Sequence, residues 1–296
     1  MQPATSITAV LMPTATDRPF TPSSVRDGSA PATTMASMPL TIMTFNLRFA
    51  SDQPPNAWPD RRPVVAQTVS AVAPDVIGTQ EGLAHQISDI AADCPAYAGV
   101  GIGRDADGGG ETATVFYRHD RLTVLDHGHL WLSDTPDVAG SRTWGNTLPR
   151  MATWVRFHDH ESDGDLYLLN THLDHESAVA RVRGAALICA QAAELDPALP
   201  IVVTGDFNAD AGADPTYDVF LDAGFADLRL TAEQDLGPAY GSFHGYEDPV
   251  PDGPHIDWIL GRGPITPRSF RLVDTQQDGQ RPSDHFPLAV TVELRG

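Results

Sequence analysis

The chain contains no lysine, and all 19 of its basic residues are arginine. Lysine Schiff-base chemistry and the P-loop, which contacts phosphate through a lysine, are therefore excluded. With 39 acidic residues, the formal net charge is −20. Sequence-independent binding to long nucleic acids depends on a basic surface, so this charge argues against it. This charge does not exclude a local basic pocket or the binding of a phosphate through a bridging metal ion.

Cysteines and long apolar runs are also scarce. The two cysteines, Cys94 and Cys189, cannot form a disulfide framework, and their alanine-rich surroundings predict small core residues. No apolar run approaches the length of a membrane span. The early segment ITAVLM is too short for a secretory signal and lacks a basic flank. We therefore expect a cytoplasmic protein with no membrane span.

The remaining composition indicates one globular domain after a polar N-terminal segment. Of the 296 residues, 41% are hydrophobic, which suits one large α/β domain or two small ones. Residues 1–38 are rich in Thr, Pro, Ser and Ala without periodicity, so we interpret them as a disordered tail. A true start at Met35 or Met38 is the alternative explanation. No linker interrupts residues 39–296, which we expect to form a single, monomeric domain.

Strand and helix patterns alternate along this domain. Helical spacing predicts helices over 60–73 with Asp60 as N-cap, over 83–94 and over 176–195, and a short helix in TYDVFLDAGF. Strands are predicted for PLTIMTFNLRF, VIGT, TATVFYR, LTVLDHGHLWLS, RMATWVRFHD, DLYLLNTHLD, PIVVTGDFN, HIDWILG and PLAVTVEL. Two packed sheets with helices outside them accommodate this mixed order.

Polar side chains end most of these strands. In IVVTGDFN, Asp206 and Asn208 can share one side of the strand while Phe207 points to the other. Comparable polar positions at the other strands are Asn46, Glu81, Asn170, His172, Asp257, Asp284 and His285. Each alone has an ordinary explanation as a turn cap, a structural histidine or a salt-bridge partner. Their repetition at five or six separate strands indicates a shared site.

The motifs TFN, QE, NTH, GDFN, DW and SDH occur in this order between residues 41 and 292. In this respect the sequence resembles the endonuclease/exonuclease/phosphatase superfamily, which includes pancreatic deoxyribonuclease and the nocturnin-like deadenylases. The resemblance implies an α+β fold, a four-layer α/β/β/α sandwich of the DNase I-like type with two mixed sheets face to face. It also implies a phosphohydrolase site dependent on Mg²⁺, with Mn²⁺ as a substitute.

The resemblance also implies roles for the metal-side residues. Glu81 is the expected Mg²⁺ ligand, supported by Asn46, and Asp284 is a second metal-side carboxylate. Asp257 orients His285, and a carboxylate beside an imidazole favours the imidazolium. His285 then acts either as a general base or as a cation against the phosphate.

The phosphate-side residues follow from the same resemblance. Asp206 positions or deprotonates the attacking water, while Asn208 and His172 donate hydrogen bonds to the phosphoryl oxygens. Further expected contacts to phosphate or substrate are Arg150, Asn170 and Arg48. Independently of the resemblance, the polar-aromatic loop GSFHGYED offers His244 as a candidate for leaving-group recognition. Arg48 departs from the family pattern, since several DNA-cutting relatives carry a carboxylate there. This departure favours either a single metal ion or a cationic contact to a second phosphate.

Three functions are consistent with these residues. The first is a metal-dependent phosphodiesterase or phosphatase acting on a small soluble phosphoester. The second is a 3′–5′ exonuclease or an endonuclease on RNA or DNA, as in the deadenylase-like relatives. The third is a catalytically inactive binding module, which would require Glu81, Asp206 or His285 to be missing. Because all three residues are present, we expect the small-molecule hydrolase.

Overall fold

Two β-sheets lie at the centre of the structure, a computed structural model that describes residues 38–294. All described residues belong to one unit, residues 37–296. The tail predicted for residues 1–38 falls outside the described residues, except for Met38. None of the described helices is both long and apolar enough to cross a membrane.

The first sheet has seven strands and contains both ends of the described chain. Its neighbouring order is β10 (Gln234–Asp235), β12 (Ile265–Leu272), β13 (Leu288–Leu294), β1 (Leu40–Asn46), β2 (Val76–Gln80), β4 (Val115–Arg118) and β3 (Tyr97–Val100). Strand β1 runs parallel to β2 and antiparallel to β13, so the sheet is mixed.

The second sheet has six strands. Its neighbouring order is β5 (Leu122–Trp131), β6 (Met151–Asp159), β7 (Gly164–His172), β8 (Ile201–Asp206), β11 (Asp257–Arg262) and β9 (Ala226–Asp227). Strands β7 and β8 are parallel, and the remaining neighbours are antiparallel. This sheet is therefore also mixed, as the resemblance implies.

Alternation of side chains along the strands gives each sheet two apolar faces. One buried cluster lies between the sheets and joins Ile42 and Val290 of the first to Leu168 and Val202 of the second. The outer face of the first sheet packs on α1 (Trp58–Val72) and α2 (Ala84–Asp93). The outer face of the second packs on α3 (Ala178–Ala193) and α4 (Pro215–Asp222). The predicted four-layer sandwich is confirmed.

Several local features differ from the sequence prediction. The short strands β3, β9 and β10 were not predicted, and α1 and β12 differ for reasons that the structure shows. Asp60 is not the N-cap of α1, because the helix already begins at Trp58 and Ala57 occupies the extended cap position without a side-chain bond. Pro59, whose fixed φ suits a first helical turn, explains the earlier start. Strand β12 was not predicted, since Pro267 interrupts its pattern. The structure places that proline at a shift in the pairing register with β13.

Strand pairing carries the polar strand ends to one edge of the sandwich. In the first sheet Asn46 pairs with Gln80, directly before Glu81. In the second sheet Asp206 pairs with His172 on one side and with Asp257 on the other. The parallel pairs align the carboxyl ends of their strands, and the sheets stack face to face, so residues far apart in sequence meet above the core.

Candidate active site

Asn46 joins the two sheets at the floor of this edge. Its buried side-chain nitrogen donates to Glu81 Oε1 at 3.0 Å and to Asp206 Oδ2 at 2.9 Å. Its side-chain oxygen accepts from the backbone N–H of Arg48 at 2.8 Å. Donors that bond two carboxylates at once reduce the repulsion between them. Asn46 therefore fixes the spacing of Glu81 and Asp206.

His285 lies between two carboxylates from the second sheet. Its Nδ1 is 2.9 Å from Asp257 Oδ2, and its Nε2 is 3.7 Å from Asp206 Oδ2. Burial lowers the pKa of His285, but the charges of Asp257 and Asp206 outweigh burial and raise it to about 10. Burial raises the pKa of Asp206, which the cation of His285 opposes. His285 is therefore charged. It lies beside Asp206, whose carboxyl group keeps its proton to a higher pH than usual.

His172 and Asn208 form a neutral pair on the other side of Asp206. Asn208 adopts a left-handed backbone, with φ of 49°, which asparagine tolerates better than most residues. Its side-chain nitrogen lies 3.1 Å from His172 Nε2 and donates to the carbonyl of Leu173 at 3.1 Å. Burial and then the cations of Arg150 and Arg104 hold the pKa of His172 well below its usual range. His172 is therefore an uncharged hydrogen-bonding group.

Glu81 provides the carboxylate on the first-sheet side of the site. It too has a left-handed backbone, with φ of 62°, a conformation that is strained for a residue with a long side chain. Its Oε2 accepts from the backbone N–H of Phe49 at 2.9 Å. Ligand atoms of Glu81, Asp206 and His285 all lie within 4.8 Å of one another. Two carboxylates at this spacing match the hard oxygen ligands that Mg²⁺ and Mn²⁺ bind.

These residues line an open cleft of about 450 Å³. Arg150 forms part of its wall although the residue is only 4% exposed. Its Nη2 donates to His175 Nδ1 at 2.7 Å and its Nε pairs with Asp174 at 3.4 Å. Its Nη1 has no hydrogen-bond partner among the described residues. A buried guanidinium with a free donor at a cleft wall is suited to bind an anion such as phosphate.

A sequence model of the Endonuclease/Exonuclease/phosphatase family matches residues 43–285. The chain belongs to this family. Among solved structures it is similar to a family member from Bacteroides vulgatus, with 32% identity, a TM-score of 0.82 and coverage of 87% of this chain and 100% of that one. It is also similar to the mannosyl-6-phosphatase Bt3783 of Bacteroides thetaiotaomicron, at 32% identity and a TM-score of 0.81, covering 86% and 99% of the two chains.

More distant structures share the fold. The human Nocturnin catalytic domain is 17% identical with a TM-score of 0.66, and the two chains are covered to 87% and 95%. A comparison with curated protein sequences found no match. The resemblance inferred from the motifs, the family and its DNase I-like fold, is thereby confirmed.

Most of the residues predicted for the site meet at the cleft of this family member. The cleft wall contains Arg48, Glu81, Arg150, His172, Asp206, Asn208, Asp284 and His285. Asn46 and Asp257 lie directly behind them, bonded to Asp206 and His285. The roles assigned to these residues stay predictions, because the structure gives their positions and not their chemistry.

Two predicted substrate contacts do not reach the cleft. Asn170 is fully buried: its side-chain nitrogen donates to the carbonyl of Thr79 at 2.8 Å and its oxygen accepts from Gln80 at 2.8 Å. It lies on the same strand face as His172 but two residues deeper, so it joins the sheets beneath the site. His244 is buried against the ring of Phe286, with ring centroids 4.5 Å apart. Neither residue lines the cleft, so the predicted contacts to phosphate or leaving group are wrong in placement.

The structure adds cleft residues that the sequence did not indicate. Glu111, from the glycine-rich loop, is held by Arg104 through two bonds of 2.6 and 3.1 Å and lies 3.8 Å from His172 Nδ1. Phe243 packs edge-on against His285, with ring centroids 4.9 Å apart. These residues lie in loops without periodicity, and no signal in the sequence distinguishes them from other loop positions.

Arg61 supports the cleft from below. Arg61 lies in the first turn of α1, and its side chain is fully buried. Its guanidinium donates to the carbonyls of Leu47, Arg48 and Phe49, after β1, and of Pro282, before β13. Burial lowers its pKa from the usual value. Arg61 therefore ties together the two loops that carry Arg48 and Asp284.

Proposed function

We propose that this chain hydrolyses a small soluble phosphate ester with the help of one or more divalent ions, Mg²⁺ or Mn²⁺. The observation that carries the proposal is the continuous network of Glu81, Asn46, Asp206, His285 and Asp257. The wall of the same cleft contains Arg150, whose buried Nη1 has no hydrogen-bond partner among the described residues. Carboxylates for a metal, a candidate base and a cation for the phosphate are the groups that phosphoester hydrolysis needs.

Glu81 would hold the divalent ion, with its carboxylate oriented by Asn46 and by the backbone of Phe49. When bound, such an ion neutralises phosphate oxygens and makes a nearby water more acidic. Asp206 provides the carboxylate that accepts the proton of the attacking water. Since Asp206 is buried, its pKa is raised toward neutrality, which favours proton transfer near pH 7.

The other polar groups would stabilise the charge that develops on the phosphoryl group. His285, kept protonated by Asp257, presents a positive charge beside Asp206. Arg150 would contribute its unpartnered Nη1, and Asn208 lines the same cleft beside His172. These groups are fixed before substrate binds, because each is held by a buried partner, and preorganised donors lower a barrier more than mobile ones do.

A phosphate monoester of a sugar is the first substrate class to examine. The Bacteroides thetaiotaomicron protein described as a mannosyl-6-phosphatase is 32% identical over nearly its whole length, which supports this class. The net charge of −20 opposes long polyanionic substrates. Similarity to Nocturnin at 17% identity concerns the fold alone, so the exonuclease is retained only as an outcome of the test. A cytoplasmic location and a monomeric state stay predictions from the sequence.

The test is a phosphate-release screen of the purified full chain. Substrates are hexose phosphates, nucleotides, p-nitrophenyl phosphate, its bis-ester and labelled RNA, each with Mg²⁺, Mn²⁺ or EDTA. Glu81→Gln removes the metal-side charge. Glu194→Gln removes an equivalent charge at an exposed position after α3 and serves as the matched control.

We expect metal-dependent turnover of small esters that is lost in Glu81→Gln and kept in Glu194→Gln. Stepwise shortening of RNA with small esters untouched would replace the proposal by the exonuclease. Full activity of Glu81→Gln, or activity unaffected by EDTA, would refute the metal assignment.

A further inference from the structure

Arg48 and Asp284 form an ion pair within the wall of the cleft. Arg48 Nη1 lies 2.8 Å from Asp284 Oδ2, and the two side chains are 30% and 14% exposed. Both residues line the same cleft as Glu81, Asp206 and His285. A positive side chain is thus bound directly to a carboxylate that would otherwise be available to a metal ion.

The structure holds Arg48 in this position from several sides. Its backbone N–H donates to Asn46, and its carbonyl accepts from Gln86 at 3.0 Å and from Arg61 at 3.2 Å. Its backbone is left-handed, with φ of 51°. The guanidinium carbon lies 5.1 Å from the ring centroid of Tyr246 and 5.9 Å from that of Phe49. This many contacts distinguish Arg48 from a mobile surface arginine.

The possible metal ligands of the cleft fall into two groups: side chains close enough to share an ion, and Asp284, which is paired with Arg48. Among the residues that the structure describes, the one cluster of acidic and histidine side chains close enough to share an ion is Glu81, Asp206 and His285. Asp284 directly precedes His285 in the chain, yet it is not part of this cluster. A carboxylate neutralised at 2.8 Å by a fixed guanidinium attracts a second cation weakly, and the guanidinium itself repels that cation.

We propose that Arg48 is a built-in cation that neutralises Asp284 and limits the cleft to one divalent ion, held on the Glu81 side. Arg48 then supplies permanently, as part of the chain, the positive charge that a second ion would bring. The proposal rests on the proposed function only in assuming a divalent ion. Its test counts bound ions without any turnover, so either idea can fail without the other.

The experiment titrates Mn²⁺ into the metal-free full chain and measures free Mn²⁺ by electron paramagnetic resonance. We expect one bound ion per chain for the wild type and none at this site for Glu81→Gln. Arg48→Asp should bind two ions, because it removes the cation and adds a carboxylate beside Asp284. The double variant Arg48→Asp with Asp284→Asn should return to one ion.

Arg62→Asp is the matched control. Arg62 pairs with Asp89 at 2.7 Å and Asp93 at 2.6 Å away from the cleft, so its substitution also releases carboxylates and adds one. It should still bind one ion. A second ion in Arg62→Asp would show that released acidic groups bind Mn²⁺ anywhere, and would overturn the proposal.

Three other results would also overturn it. These are two ions of similar affinity in the wild type, one ion in Arg48→Asp, and two ions in the double variant. If Arg48→Asp does not fold, the double variant Arg48→Met with Asp284→Asn, which removes both charges of the ion pair, is used to test whether Asp284 contributes to metal binding. We expect it to keep one ion with affinity within about threefold of wild type, whereas loss of a metal-site residue costs roughly 10-fold or more.

Discussion

Replacing Asp257 by asparagine should make the protein less stable in a strongly pH-dependent way. Asp257 is 2% exposed, and its Oδ2 accepts the Nδ1 proton of His285 at 2.9 Å. Asparagine has the same shape and keeps an oxygen acceptor, so the substitution removes mainly the negative charge. The buried imidazolium then loses its nearest counter-charge.

The magnitude follows from the pKa of His285. Its rise from 6.5 to about 10 corresponds to roughly 5 kcal/mol at about 1.36 kcal/mol per unit. Asp206 supplies part of the attraction, so removing Asp257 should cost about 3 kcal/mol, near the lower end for breaking a buried pair. For a domain of this size that loss lowers the unfolding midpoint by roughly 5–10 °C.

The direction of the pH dependence is fixed by the raised pKa. A histidine whose pKa is higher in the folded than in the unfolded chain stabilises the fold fully below pH 6.5. That stabilisation is lost as the pH rises through the folded-state value of about 10. The difference in stability between wild type and Asp257→Asn should therefore be largest at pH 6.5 and below. It should shrink toward pH 10.

The assay is urea unfolding of both proteins at several pH values between 6 and 10, with EDTA present so that the residues alone titrate. NMR titration of the His285 ring should show a charged imidazole up to about pH 9 in the wild type and a pKa roughly two units lower in the variant, the shift that about 3 kcal/mol corresponds to. A stability difference that is constant over this range, or that grows toward pH 10, would refute the reasoning.

Three further predictions concern packing and the phosphate contact. Gly78→Ala should destabilise the fold by about 1–3 kcal/mol in urea unfolding, because a Cβ there would lie 2.5 Å from Asn170 Oδ1. Phe207→Ala should cost about 3–5 kcal/mol by the same measurement, since its ring stacks on Trp258 with centroids 4.1 Å apart. Arg150→Met should lower kcat/KM for the best phosphate ester about 10²- to 10³-fold in steady-state assays.

Each of these variants has a control elsewhere in the chain. At Gly164, whose φ is not positive, the nearest atom to an added Cβ is Ser162 Oγ at 3.5 Å, an ordinary contact, so Gly164→Ala tests the alanine substitution without a clash. Leu230 is 63% exposed, and Leu230→Ala should change stability by less than about 0.5 kcal/mol. Arg156 pairs with Asp165 away from the cleft, and Arg156→Met should keep full activity. Equal losses in a variant and its control would contradict the explanation.

The prediction of the fold succeeded where the signal was local. The alternation along the strands and the helical spacing of α3 depend only on neighbouring residues, and both are visible without a structure. The exact start of α1 was wrong, because Pro59 and the preceding loop decided it rather than Asp60. Strand β12 was missed since Pro267 obscures its pattern, and the pairing with β13 compensates for the proline.

The sequence by itself determined the residue types of the site and the strand ends that carry them. Glu81, Asp206 and Asn208 lie at or just beyond the ends of apolar strands, and His285 lies just before one. Strand ends converge in stacked sheets. Depth along a strand and direction within a loop depend on contacts between distant segments. Asn170 was therefore assigned to the cleft, although it lies two residues deeper along its strand than His172 and joins the two sheets beneath the site.

Only the tertiary structure decided how the charges are paired. The partners Arg48 and Asp284 are 236 residues apart, and Asp206 and Asn46 are 160 apart. Pairing energies depend on distance and burial, neither of which can be read from a linear pattern. The tertiary structure thus distinguishes the carboxylates that could bind a metal ion from Asp284, which is already paired with an arginine.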